Sequence, residues 1–280
     1  ELISSISSII PHYDAFLLDL WGVVHDGSQL YPNVRETLVA MKKSGKKVIF
    51  LSNAPRGASR VAKVLSELGI EPALYDHIVS SGEVGFYWLE ADRAQLENSQ
   101  MGNRYYLISA EKDKDLLENL NYEQVDNLKN ADFILNLGFG SEEQTLEDYE
   151  DILQDAADLS LLMLCLNPDL EVIKISGGLF PCAGAIAKEY VALGGEVEWF
   201  GKPYPAVYEF AHKLLGGVDK KHILAVGDSL ETDIPGAKNF GVDSALVTGG
   251  ILKGHDTADI KEMILALGLR PNYLLPKFGL

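Results

Sequence analysis

Four side chains that could act on a phosphate ester each follow a short apolar run of strand length. Asp19 follows AFLL, Ser52 follows KKVIFL, Lys202 follows VEWFG, and Asp228 follows HILAVG. A carboxylate such as Asp19 can accept a phosphoryl group as an aspartyl-phosphate, which divides hydrolysis into two steps. A fixed lysine can neutralise phosphate oxygens in the transition state. The structural alternatives are a turn-capping role for Asp19 and a solvated surface position for Lys202.

The segment VGDSLETD holds two carboxylates around one turn. Asp228 ends a predicted strand, and Asp233 lies five residues later, where a helix is predicted to begin at Ile234. Hard oxygen ligands of this kind suit Mg²⁺, which binds one or two carboxylates together with substrate phosphate. The alternative for Asp233 is a role as helix N-cap only.

The segment LSNAPR places Ser52 and Asn53 directly before Pro55 and a helical pattern. Ser or Asn as N-cap, with Pro in the first turn, explains these residue types structurally. The same geometry directs a hydroxyl and backbone N–H groups toward an anion. The residues alone leave both interpretations open.

Apolar runs alternate with helical patterns along the chain, which predicts an α/β fold of doubly wound, mainly parallel sheets. In such sheets ligands bind beyond the carboxyl ends of the strands, so the four polar side chains are expected to converge. Ser52 and Lys202 are 150 residues apart, far more than one crossover requires. We therefore predict a core of residues 1–82 and 179–280, interrupted by a second α/β domain of residues 83–178.

Composition narrows the possible partners of the 280-residue chain. With 24 basic and 41 acidic residues the formal charge is −17, which argues against nucleic acid as a ligand. A small phosphorylated metabolite stays compatible, because a metal ion and one lysine reverse the sign locally. The sequence leaves open whether the chain forms a homo-oligomer.

Features of the chain also predict a cytoplasmic location without membrane contact. The cysteines are Cys165 and Cys182, both in apolar or small-residue surroundings, which favours buried thiols in a reduced compartment. No apolar run reaches the roughly 18 residues that span a bilayer. The opening ELISSISSIIPHYD lacks a basic leading segment and is predicted to be a short amphipathic helix rather than a signal peptide.

Taken in this order and spacing, the motifs resemble the haloacid dehalogenase (HAD) superfamily, and more narrowly its class IIA (NagD-like) sugar- and nucleotide-phosphate phosphatases. The resemblance covers nearly the whole chain, including GVVHDGSQLYPN, NPDLEV, GKPYPAVYEFA and VGDSLETDIPGAKNFGVDSALVTGG. It implies a Rossmann-like core and an inserted cap domain that selects the substrate.

The resemblance also implies a role for each site residue. Asp19 is the expected nucleophile, Ser52 and Asn53 hold the phosphate, and Lys202 bridges nucleophile and phosphate. Asp19, Asp228 and the backbone carbonyl of Trp21 would ligate Mg²⁺, with Asp233 supporting the outer shell of the metal. These assignments are carried by the motifs rather than by spacing alone.

Position 21 departs from the family pattern. The family has a second Asp two residues after the nucleophile, which protonates the leaving group and later activates water; here that residue is Trp21. Loss of a general acid–base typically costs about 10² to 10⁴ in rate. Three accounts stay open: esters with good leaving groups, substitution by His25 or Asp26, or a protein that binds a phosphorylated metabolite with little turnover. For Asp26 and Gly27 a hairpin turn is the simpler expectation.

Overall fold

The computed structural model describes residues 1–94, 101–110, 121–173 and 178–279. Contacts divide the chain into two compact units. The core unit contains residues 1–52, 58–79 and 202–280, and the inserted unit contains residues 53–57 and 80–201. An α/β fold with an insertion was predicted, but the inserted unit extends well beyond the predicted end at 178.

The core unit is built on one six-stranded sheet in the order β13-β12-β11-β1-β2-β3. Strand β1 lies centrally and pairs in parallel with β11 on one side and β2 on the other. The strands are β1 (Ala15–Leu18), β2 (Lys47–Ser52), β3 (His77–Ser80), β11 (Ile223–Gly227), β12 (Asp243–Val247) and β13 (Tyr273–Leu275). All residues of β1 and β11 are buried, as expected for central strands covered on both faces.

The helices of this unit alternate with its strands along the chain, as the apolar periodicity predicted. They are α1 (Val34–Lys43), α2 (Ala58–Glu67), α6 (Pro205–Leu214), α7 (Asp233–Phe240) and α8 (Thr257–Ala266). The opening stretch differs from the single amphipathic helix that was predicted. It forms two short 3₁₀ turns, Ile6–Ser8 and Ile10–His12, because Pro11 lacks the N–H that a continuous α-helix needs.

The inserted unit has a five-stranded sheet in the order β10-β7-β6-β4-β5, and every pairing in it is parallel. A two-stranded antiparallel ribbon joins β8 to β9. The strands are β4 (Arg104–Ile108), β5 (Glu123–Val125), β6 (Phe133–Asn136), β7 (Leu162–Cys165), β8 (Glu171–Ile173), β9 (Leu179–Pro181) and β10 (Val197–Trp199). Its helices are α3 (Ser81–Ala94), α4 (Glu150–Asp158) and α5 (Ala183–Ala192).

The C-terminal boundary of the insertion is where prediction and structure differ most. Strand β10 pairs with β7, and α5 supplies Ala183, Ile186 and Tyr190 to the apolar core of the inserted unit. The run VEWFG was predicted to be a strand of the core sheet, because it is mostly apolar, has strand length and precedes Lys202. Its hydrogen-bonding partner, which the sequence pattern does not specify, assigns it to the inserted unit.

Among the described helices, none is both long and apolar enough to cross a membrane.

Candidate active site

Asp19 lies one residue beyond the buried end of β1 in the middle of the core sheet. Its backbone N–H donates to Val226 O at 2.8 Å, which continues the pairing of β1 with β11 up to the carboxyl end of both strands. Asp228 follows β11 directly, so the strand pairing itself brings these two carboxylates to the same edge. Asp19 is 8% exposed and Asp228 6% exposed. The predicted convergence of Asp19 and Asp228 is therefore observed.

Asp233 joins the two carboxylates from the first turn of α7. One oxygen each from Asp19, Asp228 and Asp233 can be chosen so that all three atoms lie within 4.8 Å of one another. These are the only His, Cys, Asp or Glu side chains in the described parts of the chain that form a group of this kind. Carboxylate oxygens are the donor type that Mg²⁺ prefers, so the donor set fits the predicted metal.

Lys202 provides the balancing charge at the centre of the cluster. Its Nζ donates to Asp19 Oδ1 at 2.5 Å and to Asp233 Oδ1 at 2.8 Å, and the residue is only 3% exposed. It lies in the loop between β10 and α6, so it reaches the site without following a core strand, contrary to the prediction. Three carboxylates facing one ammonium leave a local excess of negative charge, which a divalent cation would balance.

The pKa of Asp19 is raised well above its ordinary value. Burial is the largest cause, the ammonium of Lys202 opposes it, and the carboxylates of Asp233 and Asp228 add to it. The direction follows from physics, because burial disfavours the charged form of an acid and nearby negative charges do the same. A cation bound at this cluster would favour the ionised, nucleophilic form of Asp19.

Asp233 has a different environment from the other two carboxylates. Its Oδ1 accepts from Lys202, and its Oδ2 accepts from the backbone N–H of Ser229 at 3.1 Å. Both oxygens are therefore engaged within the protein, which suits a supporting position rather than direct ligation. The buried Tyr208 hydroxyl donates to the backbone carbonyl of Asp233 at 3.3 Å, which holds the first residue of α7 in place.

Two glycines that the sequence prediction did not single out make room for Asp228. A Cβ at Gly22 or at Gly250 would collide with the Asp228 carboxylate. Gly22 also has φ of +83°, a conformation that favours glycine. The N–H of Ile251 donates to Asp228 Oδ2 at 2.7 Å and orients the carboxylate. The Gly-Gly pair in VTGGI was a detectable signal, since adjacent glycines after a strand often mark close backbone approach.

Ser52 and Asn53 are adjacent in the chain but belong to different units. Ser52 is the last residue of β2, the neighbour of β1, and so lies at the same sheet edge as Asp19. Asn53 belongs to the inserted unit, where its amide Nδ2 donates to Asp169 Oδ1 at 2.8 Å. The partner is 116 residues away in sequence. The Asn53 side chain thus has a bond within the inserted unit, which the phosphate-binding prediction did not anticipate.

The loop after Asp19 carries the residue that departs from the family pattern. Trp21 is 40% exposed, and its indole packs edge-on to the His25 ring, with centroids 5.7 Å apart. A Cβ at Gly27 would collide with the same indole. The backbone N–H of Gly22 donates to His25 O at 3.0 Å and closes the loop. The indole is therefore held in place although much of it faces solvent.

His25 and Asp26, the predicted substitutes for the missing acid–base, both make hydrogen bonds within their own loop. His25 is buried, its Nδ1 accepts the Gly27 N–H at 3.0 Å, and burial lowers its pKa to about 4. Asp26 Oδ1 accepts from the backbone N–H groups of Ser28 and Gln29, and these hydrogen bonds, foremost those of Ser28, lower its pKa to about 2. The expected turn at Asp26 and Gly27 is confirmed by the antiparallel bridge between His25 and Leu30.

Comparison with known proteins agrees with this geometry. The family described as haloacid dehalogenase-like hydrolase matches residues 16–123, and the one described as HAD-hydrolase-like matches residues 199–278. A crystal structure of a haloacid dehalogenase-like hydrolase from Brucella suis 1330 is 30% identical, with a TM-score of 0.85, over 99% of this chain and 100% of that one. This chain belongs to the haloacid dehalogenase-like hydrolases. The predicted family, and with it the fold class, is thereby confirmed.

Two further relatives of this HAD hydrolase carry functional names. Sugar-phosphatase AraL of Bacillus subtilis (strain 168) is 27% identical over 89% of this chain and 88% of its own length. The glycerol phosphate phosphatase of Mycobacterium tuberculosis, solved in complex with magnesium, has a TM-score of 0.69 and 25% identity. That similarity covers 97% of this chain and 77% of the mycobacterial one. The prediction that this HAD hydrolase is a phosphatase agrees with these names.

Proposed function

We propose that this HAD hydrolase is a Mg²⁺-dependent phosphomonoester hydrolase of the cytoplasm that acts on sugar or nucleotide phosphates through an aspartyl-phosphate on Asp19. The observation that carries the proposal is the buried bond from Lys202 to Asp19 within a cluster of three carboxylates. A structural ion pair would balance its charges, whereas this cluster has two carboxylates in excess of its ammonium. Such an excess suits a site that takes up a cation and a reacting phosphate.

The transfer step uses Asp19 as nucleophile. A carboxylate oxygen of Asp19 attacks phosphorus, the ester P–O bond breaks, and its electron pair leaves with the alcohol oxygen. Lys202, already bonded to Asp19, would neutralise a phosphate oxygen as charge shifts in the transition state. Ser52 at the end of β2 would donate its hydroxyl to another phosphate oxygen, and backbone N–H groups near Asn53 would add to that contact.

In the second step water attacks phosphorus and the bond from phosphorus to Asp19 breaks, which regenerates the carboxylate. One hydrogen of the water stays on the released phosphate, and the other neutralises the departed alkoxide through solvent. Asp19, Asp228 and the carbonyl of Trp21 would hold Mg²⁺, and Asp233 would steady this shell through Lys202 and Ser229. When bound, Mg²⁺ supplies positive charge that polarises phosphate oxygens and favours the ionised form of Asp19.

The inserted unit is proposed to act as the cap that selects the substrate. Within it, the segment after Asn136 is well ordered by hydrogen bonds: the Gly140 N–H donates to the Tyr149 hydroxyl at 2.9 Å, and that hydroxyl donates to Gln144 Oε1 at 2.9 Å. A loop held by its own side chains can present fixed groups to a substrate. We propose this loop as the first place to seek specificity.

The experiment that tests the function is phosphate release from a panel of sugar, nucleotide, acyl and aryl phosphates, with Mg²⁺ and with a chelator. Asp19→Asn should reduce release by more than about 10³-fold, because it removes the nucleophile and keeps the shape. Exposed Asp256→Asn, which changes a capping carboxylate of α8, is the matched control and should keep full activity. Unchanged release by Asp19→Asn would refute the nucleophile assignment.

A second candidate function follows from Trp21. With an indole at the acid–base position, and with His25 and Asp26 engaged elsewhere, the same site could bind a phosphorylated metabolite with little turnover. This alternative predicts thermal stabilisation by Mg²⁺ together with phosphate but release too slow to be metabolic. Trp21→Asp separates the two: a gain of about 10²-fold or more would indicate that the acid–base alone is missing.

A further inference from the structure

Trp21 combines three properties that a purely structural residue does not need together. It follows the proposed nucleophile by two residues, the residue is 40% exposed, and its indole is held by contacts on two sides. An exposed tryptophan usually costs hydrophobic free energy, because apolar area stays in contact with water. Here the loop restricts the ring without covering it.

The position of the ring relative to the carboxylate cluster follows from its neighbours in the chain. A Cβ at Gly22 would collide with Asp228, so the peptide joining Trp21 to Gly22 lies directly against the cluster. From there the side chain extends over Gly27 and beside His25. The backbone of Trp21 therefore lies at the edge of the carboxylate cluster, and its ring packs within the adjoining loop.

The indole packs against the His25 ring and against the backbone of Gly27. The Nδ1 atom of His25 accepts the Gly27 N–H, so this nitrogen is committed to the loop. Gly27 has φ of +92°, which favours glycine, and leaves space that any side chain would take from the indole. The result is a fixed aromatic surface in the loop next to the carboxylate cluster. It can pack against a ring, but its indole N–H is too weak an acid to protonate a leaving oxygen.

We propose that Trp21 is a specificity-determining residue whose indole contacts the leaving group and favours aryl phosphates. This proposal rests on the proposed phosphatase function and ranks its substrates: esters with an aromatic leaving group are expected to react faster than sugar phosphates. An aryloxide departs with the electron pair of the broken P–O bond and needs no proton transferred during bond cleavage. An aromatic leaving group also gains from packing against an indole. A sugar leaving group has neither advantage, so sugar phosphates are expected to turn over more slowly at this site.

Two substrates with good leaving groups distinguish a contact with the indole from an effect on P–O bond cleavage. Phenyl-type phosphates such as 4-nitrophenyl phosphate carry a ring, whereas acetyl phosphate also leaves without a proton but has no ring. Trp21→Ala should lower kcat/KM for the aryl phosphate about 10-fold, mainly through KM, because the aromatic contact is lost. Acetyl phosphate makes no ring contact and should lose much less, so the ratio of the two kcat/KM values is the quantity that tests the proposal. Leu265→Ala, which removes a side chain that is 74% exposed on α8, should change neither.

Gly27→Ala gives an independent variant that leaves the indole in the protein. Its methyl group would displace the ring, so the selectivity for aryl over acetyl phosphate should fall in the same direction as in Trp21→Ala. Trp21→Phe, which keeps an aromatic ring, should retain most of the selectivity. Circular dichroism and thermal melting of each variant show whether the fold is kept.

A binding measurement makes the proposal testable apart from turnover. In the Asp19→Asn background with Mg²⁺, the dissociation constant of the aryl phosphate should rise about 10-fold on Trp21→Ala, and that of inorganic phosphate should stay unchanged. Equal loss for ring and ringless ligands would assign Trp21 a structural role and overturn the proposal. Absence of phosphate release from any ester would instead refute the proposed function, and the binding comparison would still decide the leaving-group contact.

Discussion

The two sheets of this protein place polar residues at equivalent positions but surround them differently. In the core unit the central strands β1 and β11 lead to Asp19 and Asp228. In the inserted unit the central strands β6 and β7 end at Asn136 and Cys165, which are register partners. All four residues are buried at the carboxyl ends of parallel strands. By topology alone both edges are candidate ligand sites.

The difference is in how each edge satisfies its polar groups. Asn136 is neutral and internally paired: its Nδ2 donates to Ala183 O at 2.9 Å, and its Oδ1 accepts the Gly138 N–H at 3.2 Å. The Cys165 thiol donates to Asn167 O at 3.5 Å. The core edge instead gathers three carboxylates around one lysine. The core edge therefore gathers charged groups that could take up a cation, whereas the inserted edge pairs neutral groups with each other.

Lys202→Met, which removes the buried ammonium of the core edge, is expected to cause the largest loss of stability. Removal of one partner from a buried charge cluster typically costs about 3 to 5 kcal/mol, because the remaining charges lose their compensation. Urea unfolding followed by circular dichroism measures the free energy of unfolding. Added Mg²⁺ should return part of the loss, since a cation in the cluster replaces some of the missing charge.

Lys221→Met is the control for Lys202→Met. The Lys221 ammonium lies 3.1 Å from Asp219 Oδ2, but its side chain is 70% exposed. Exposed pairs contribute about 0 to 1 kcal/mol, so this variant should be nearly as stable as the wild type. If the two lysine variants lost equal stability, the buried ammonium would not be balancing the carboxylates and the contrast between the edges would fail.

A smaller effect is expected from Asn136→Asp, which gives the inserted edge a carboxyl group without a lysine. The change replaces the amide that donates to Ala183 O by a carboxyl group that can donate only while it is protonated, and it should cost about 1 to 3 kcal/mol at neutral pH. Burial would raise the pKa of the new carboxyl group above its unfolded value. Between those two pKa values the folded state binds more protons than the unfolded state, so the free energy of unfolding should fall as pH rises.

Thermal melting between pH 5 and pH 8 measures this dependence for Asn136→Asp. The exposed Asn130→Asp in the same unit should show no comparable slope. Mg²⁺ should shift the melting temperature of Asn136→Asp by the same amount as that of the wild type, since one added carboxylate makes no further cation site. A slope of opposite sign would mean that the inserted edge already contains an uncompensated positive group.

The sequence predicted those parts of this comparison that depend on local pattern. Alternation of apolar runs with helical periodicity was sufficient to predict parallel sheets, and the polar residues after AFLL and HILAVG predicted the edge where Asp19 and Asp228 meet. These predictions hold because strand burial and parallel pairing bring strand ends together whatever their side chains. The turn at Asp26 and Gly27 was predictable for the same local reason.

Features that depend on pairing across the chain were not predictable. The run VEWFG is mostly apolar and of strand length, like the core strands. Only its parallel pairing with β7 assigns it to the inserted unit. The Asn53 amide bonds to Asp169 across 116 residues, which no local pattern encodes. The space that Gly22 and Gly250 leave for Asp228 likewise depends on three distant backbone segments.

The smallest effect is expected at Cys165, the thiol of the inserted edge. Burial raises the pKa of this thiol to about 12, so little of the reactive thiolate is present at neutral pH. Cys165→Ala should lose about 1 kcal/mol through lost packing, with kcat and KM unchanged. In a Cys182→Ala background a thiol reagent should label Cys165 slowly in the folded protein and rapidly in urea. Fast labelling of the folded form would instead show that this edge opens to solvent. Its neutral polar groups would then be ligand-accessible like those of the core edge, and charge alone would no longer distinguish the two.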